Sequence, residues 1–318
     1  MNLKKLWIYL AVLLLVAGVW GATEIFFPKK TEEGKTPPLF PGLTAAKIEE
    51  LQWQRGAEVV HLKKKPAWMI LKPISVAADP RVIEGLLQTL ITLRPERRFS
   101  ESRKDLKEFG LEAPKVKILF LTAGKWAEIQ VGNKNAVGNA TYVKVSNSPD
   151  LFLIEDPIVK ELDLDLLTLR EKRIFSFNLN QVQAIEIKTN KKSFSLERDS
   201  KGWLVKGRPG KRLNKDQVDS FLYALLGLQA RGFEEPGVED LKRGLIPPNG
   251  TLRLSSQGKE AREETLILGK EEPGKGLWAK SSLHKEDLIL DPAIMKKIPE
   301  SPEEWEDKTP PPSAKKGP

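Results

Sequence analysis

"AWMILKPISVAADPRVIEGLLQTL", Ala67 to Leu90, is written a second time as "GWLVKGRPGKRLNKDQVDSFLYALLGL", Gly202 to Leu228. Each run sets a Trp before a short apolar alternation, then a basic, Pro-bearing turn, a polar helix start and a Leu-rich helix. Asp79 in one copy and Asn214 to Asp216 in the other can accept from the free N–H groups of a first helical turn. Pro80 stands where a first-turn proline is tolerated. Val82, Leu86 and Leu90 answer Val218, Leu222 and Leu226, one apolar residue every four, so each helix has a single stripe to bury and should lie on a sheet.

The correspondence extends in both directions at an offset of about 135 residues. Ile48, Leu51 and Trp53 of "IEELQW" match Val182, Ile185 and Ile187 of "VQAIEI", and Val60 and Leu62 match Phe194 and Leu196. Downstream, "RRF" ending at Phe99 answers "RGF" ending at Phe233, and "FGLEAP" (Phe109 to Pro114) answers "RGLIPP" (Arg243 to Pro248). Four strand pairs follow: "VKILFL" with "TLRLSS", "AEIQVGN" with "ETLILGK", "TYVKV" with "LWAKS", and "LFLIEDP" with "DLILDP". Gly132 and Gly269 read as turn glycines. A period this long denotes a duplicated domain and not a solenoid array. Each copy reads as three strands, a helix, a short helical link, four strands and a closing helix. Segregated strand and helix runs imply an α+β fold: two tandem copies of mainly antiparallel sheet with helices packed on one side.

Composition excludes several chemistries. With no cysteine, disulfides, thiolate metal sites and a cysteine nucleophile are ruled out. Two histidines, His61 and His284, fall at unrelated places in the copies and read as surface residues, so no metal site is expected. The formal charge of +9 is spread through interleaved acids and bases, the pattern of a solvated surface. No nucleic-acid motif accompanies it.

The N-terminus differs from the rest. "MNLKKLWIYLAVLLLVAGVWGATEIFF" places Lys4 and Lys5 before an apolar run from Leu6 to Ala22, which Ile25, Phe26 and Phe27 can extend. As a helix this run spans about 25 Å, enough with its extension for one membrane crossing. A cleaved signal peptide is the rival reading, but bulky Trp20 sits in the best small-residue pair, Val19 and Gly21. The short lysine tail stays inside, which places the body outside the cytoplasm. The expected organisation is an anchor at 1–28, a Pro/Lys-rich stalk at 29–43, a first repeat at 44–170, a second at 171–305 and a disordered tail at 306–318.

The ordered set of Trp68 to Pro73, Ala78-Asp79, "FGLEAP", "VGN" (Val131 to Asn133), "TYVKV" (Thr141 to Val145) and "LREKRIFSF" (Leu169 to Phe177) resembles the DUF4340 domain-containing proteins. The likeness runs from about Ile48 to Ile298. The second copy departs from it, with Gly210-Lys211 where the helix-opening pair would stand and Trp278 in place of Tyr142. The resemblance implies a single-pass protein of the bacterial cell membrane and envelope. It also implies an accessory role beside ABC-type export permeases or gliding-motility-like components. It supplies no catalytic, cofactor-binding or metal residues.

Candidate chemistry in the residues themselves is thin. "GKEEPGKG", Gly269 to Gly276, approaches a nucleotide-binding loop, but Gly276 replaces the Ser or Thr that reaches Mg²⁺ and a strand follows it. No nucleotide is expected. The acidic pairs Glu234-Glu235 and Glu239-Asp240 would need to face each other across a cleft to serve a hydrolase. "RPERRFSESRK", with Arg94, Arg97, Arg98, Arg103 and Lys104, reads as an exposed helix-to-helix connection. Trp53, Trp68, Trp126 and Trp203 are expected in the core. Asn139 and Asn249 fit the glycosylation pattern. The expected function is a non-enzymatic, membrane-anchored binding or scaffold protein without cofactors. An envelope hydrolase with carboxylates in an inter-domain groove, or a polysaccharide-binding module, stands as the alternative.

Overall fold

The Leu-rich helix of the first copy, α1 (Pro80–Thr92), starts as its sequence asks: Asp79 is the N-cap and its carboxylate accepts from Arg81 N at 2.9 Å. Its buried face is wider than a one-in-four stripe and comprises Ile83, Leu86, Leu87 and Leu90. These pack in one core with Leu51 and Trp53 of β1 (Ile48–Arg55), Val60 and Leu62 of β2 (Glu58–Lys65) and Ile70 of β3 (Ala67–Lys72). The computed structural model describes residues 36–100, 105–208, 211–237, 239–258 and 261–306. The chain divides into two units, Met1–Glu171 and Lys172–Pro318.

In the first unit the strands continue with β4 (Val76–Ala77), β5 (Arg97–Phe99), β6 (Val116–Thr122), β7 (Lys125–Lys134), β8 (Ala140–Val145) and β9 (Leu151–Glu155). The helices α2 (Asp156–Leu162) and α3 (Leu166–Leu169) close it. The sheet order is β4-β3-β2-β1-β6-β7-β8-β9-β5, every pair antiparallel. The second unit holds β10 (Ala184–Thr189), β11 (Ser193–Asp199), β12 (Gly202–Val205), α4 (Lys215–Leu226), β13 (Gly232–Glu234), β14 (Gly250–Ser255), β15 (Glu263–Glu272), β16 (Gly276–Ser281) and β17 (Asp287–Leu290). Its order, β12-β11-β10-β14-β15-β16-β17-β13, is again wholly antiparallel and repeats the first strand for strand, without a counterpart of β4. Asn214 caps α4, accepting from Asp216 N and Gln217 N.

Four expectations need correction. The link after each main helix holds no helix among the described residues: it carries an edge strand, β5 or β13, that pairs with the last strand of its sheet, and then turns. The basic run at Arg94 to Lys104 therefore contains β5, while Arg103 and Lys104 lie outside the described residues. Phe99 and Phe233, matched by motif, face different environments. Phe99 pairs with Leu151 and its ring lies 6.2 Å from Tyr142, whereas Phe233 pairs with Leu288 and packs on the second core. Leu39 and Phe40, assigned to the stalk, are buried in the first core. Leu39 N donates to Leu93 O at 2.8 Å, and the Phe40 ring meets Phe120 edge-on at 4.9 Å. Two large apolar side chains outweigh the prolines around them once a core is in reach.

Among the described residues no helix is long and apolar enough to cross a membrane. The anchor at 1–28, the stalk up to residue 35 and nearly all of the tail lie outside those residues.

Candidate functional site

The motif glycines locate the most constrained corner of each unit. Gly132 and Gly269 are not turn residues: they lie inside β7 and β15, at the bulge where pairing to β8 and β16 shifts register. The loop bearing "FGL" crosses that bulge, and Asn133 N donates to Phe109 O at 2.7 Å. Lys270 N donates to Arg243 O, also at 2.7 Å. A Cβ at Gly132 would overlap the Phe109 carbonyl oxygen, and one at Gly269 the Arg243 carbonyl oxygen. Gly110 and Gly244 have φ of +66° and +68°, the left-handed region that L side chains avoid. "FGLEAP" and "VGN" are thus two halves of one contact, which explains why they travel together in both copies.

The side chains on this shared frame differ. In the first unit Phe109 and Phe99 gather on Tyr142, the Phe109 ring at 4.6 Å. In the second, Arg243 replaces Phe109 and Trp278 replaces Tyr142. The guanidinium lies 4.1 Å from the Trp278 ring centroid, and the Lys275 ammonium 4.3 Å from it. Trp278 Nε1 donates to Glu272 at 2.7 Å. Arg243 Nη1 donates to Asp287 Oδ2 at 2.5 Å and to Glu235 O at 2.9 Å. Lys280 pairs with Asp240 at 2.6 Å and with Asp287 at 3.6 Å. The Asp287 side chain is 0% exposed and that of Arg243 11%. Burial pulls the Lys280 pKa down, but the carboxylates of Asp240 and Asp287 outweigh it and raise the value above that of a free lysine.

This cluster anchors a loop. Asp240 O accepts from Leu245 N at 2.8 Å and Ile246 N at 3.3 Å, while its carboxylate is tied to Lys280. Leu241, just after Asp240, stands 71% exposed, and Ile246, whose N–H makes the second tie, is 60% exposed. In the first unit the same hydrogen bond joins Leu111 N to Leu106 O, but the positions answering Leu241 and Ile246 are Lys107 and Glu112.

The other candidate residues resolve individually. Glu234 pairs with Lys275 and Glu239 with Lys242, so the acidic pairs meet bases and not each other. The Lys242 ammonium holds the Glu239 carboxyl below its ordinary pKa. His61 and His284 are half-buried. His61 Nε2 lies 3.0 Å from Glu50, which Lys63 also binds, and His284 Nε2 lies 2.8 Å from Arg173 O. Gly269 to Gly276 spans the end of β15, a turn and the start of β16. Asn139 accepts from Asn135 and Asn249 donates to Gly269 O at 2.9 Å. Trp53 and Trp203 are core residues, the latter donating to Asp219 at 3.1 Å, and Trp68 packs partly buried. Trp126 is not in the core: it is 44% exposed. Among the described residues no group of His, Asp and Glu is arranged to hold a metal ion.

Lys280 and Asp287 escaped the sequence reading, and Asp240 was read only as half of an acidic pair. Their trace was the coordinated exchange of Phe for Arg in "RGL" and of Tyr for Trp at 278, two departures from the first copy that meet in space.

A chain of two antiparallel sheets, each carrying a capped helix and a glycine-bulge corner, is thus defined by fold and motif together. It belongs to the family described as Domain of unknown function (DUF4340), whose model matches residues 68–244, more than half of the chain. The match starts at Trp68 in β3 and ends at Gly244 of the second corner, so it takes in parts of both units. No curated protein and no solved structure matches the chain.

Proposed function

We propose that this chain is a non-enzymatic binding or scaffold protein of the bacterial envelope, made of two copies of one duplicated domain with helices on one face of each sheet. A single span at Leu6 to Ala22 would hold it to the membrane, with both units outside the cytoplasm. It would serve as an accessory component of an ABC-type export or gliding-motility-like complex. The complex is suggested by the resemblance described above. The binding role is supported by one observation: at the second corner Arg243, Lys280, Asp240 and Asp287 are engaged with one another, and they hold a loop on which Leu241 and Ile246 are exposed. Preorganised apolar residues on a pinned loop lose little freedom on association, which favours a binding contact.

The test is purification of the full chain from membranes in mild detergent, compared with Leu241→Asp/Ile246→Asp. A permease subunit should accompany the parent chain and be lost from the variant at unchanged thermal stability. Repeated absence of any such subunit from the parent chain would count against the reading.

A further inference from the structure

One end of the first sheet gathers the chain entry and a set of exposed basic residues. β1 begins there, the β6–β7 turn lies beside it through the Ile48–Thr122 pair, and the β2–β3 turn follows just beyond the Glu50–Lys63 pair. The turn after β8 also reaches it, with Asn147 Nδ2 donating to Leu39 O at 2.9 Å. Lys64 and Lys65 sit at the β2–β3 turn and Lys125 and Trp126 at the β6–β7 turn, all exposed. Arg94 Nη1 donates to Thr36 O at 2.6 Å beside the entering chain. Of the acids at this end, Glu49 is exposed, Glu50 is occupied by Lys63 and His61, whose hydrogen bonds lower its pKa, Glu128 pairs with Lys117 at 2.9 Å, and Asp150 is held by Arg98. The same end of the second sheet is different. Asp199 at the β11–β12 turn is held by both Arg212 nitrogens at 2.7 Å, and β15 opens on Glu263 and Glu264 where β7 opens on Lys125 and Trp126.

We propose that this end of the first unit docks on anionic lipid headgroups, with Trp126 in the interface and Lys64, Lys65, Lys125 and Arg94 against the phosphates. The inference rests on the anchor reading above. Leu39 and Phe40 belong to the folded core, so the tether from Phe27 is only the stretch Pro28 to Pro38. At full extension that stretch reaches about 40 Å, and its entry point lies on the basic end. A large ring with a polar N–H gains by sitting at headgroup level, and Trp126 is free to do so because it shares the outward face of β7 with Glu128 and Gln130, opposite the buried Ile129 and Val131. Basic side chains held within about a Debye length, ~10 Å at 0.1 M salt, are drawn to an anionic leaflet.

Because the chain has no cysteine, a single introduced cysteine is a unique label. The full chain is reconstituted in phosphatidylcholine liposomes with or without phosphatidylglycerol and labelled at Ala67→Cys, in the basic end, or Val137→Cys, in the exposed turn at the opposite end. Quenching by a headgroup-borne spin label should be several-fold stronger at 67 than at 137 when phosphatidylglycerol is present. It should weaken in high salt, and Lys64→Glu/Lys65→Glu should reduce the docked population by about tenfold or more. Retained chain with equal quenching at both positions overturns the proposal. So does an excess at 67 that ignores salt and lipid charge, which the tether alone would give. Chain not retained by the liposomes overturns the anchor reading and this inference together.

Discussion

The corners at Tyr142 and Trp278 are built on the same backbone device and filled with opposite chemistry. In the first unit Phe99, Phe109 and Tyr142 form an aromatic group; in the second, Arg243 lies on the Trp278 ring and is joined through Asp287 to Lys280 and Asp240. The loop carbonyl that meets the strand bulge is common to both, so the backbone contact, and not the side chains, defines the corner. Side chains were free to change as long as they changed together. A phenylalanine in place of Arg243 would leave the buried Asp287 with Lys280 alone, at 3.6 Å.

That comparison can be broken most forcefully at what is shared. Gly132→Ala and Gly269→Ala should each destabilise their own unit by about 3 kcal/mol or more, because the added methyl overlaps a backbone oxygen that is itself hydrogen-bonded. Urea unfolding should show similar losses for the two variants. A loss in one unit only would mean that the corners are not equivalent.

The next effect separates the corners. Asp287→Ala leaves Arg243 and Lys280 without their buried partner and should cost about 3–5 kcal/mol. Converting the corner as a set, with Asp240→Leu, Arg243→Phe, Trp278→Tyr, Lys280→Met and Asp287→Leu, should be neutral or stabilising by about 1–4 kcal/mol. Thermal unfolding of both variants checks the claim, since a set change as harmful as the single one would show that the charges stabilise the fold outright.

The smallest effect lies at the helices. Asp219 of α4 is buried where α1 carries Ile83. Burial raises its pKa, but Lys215 at 2.6 Å and Trp203 outweigh it and leave the value below that of a free aspartate. Its contribution is fully present above the unfolded pKa of about 3.9 and is lost as pH falls through the lower folded value. Acid unfolding followed by tryptophan fluorescence should therefore show a pH-dependent loss in this range that Asp219→Asn reduces.

The helices, caps and most strands of both units could be read from residue order, since each follows from local spacing: four-residue apolar recurrence for α1 and α4, alternation for β1 and β10, an Asp or Asn at the helix start. The short edge strands could not. β5 and β13 have three residues each and exist only because β9 and β17 offer them a ladder. Phe99 and Phe233 show the same dependence. Matched by motif, they face different sides, because one residue of register reverses every side chain on a strand.

Residue order alone established two similar strand-and-helix sets and an apolar N-terminal run, because periodicity, capping and hydropathy act over a few neighbouring residues. Which carbonyl meets Gly132 or Gly269, and that Arg243 and Asp287 are buried together, were decided by the sheet. Those outcomes depend on partners tens of residues away and on the register in which they pair, and neither is written in any local stretch.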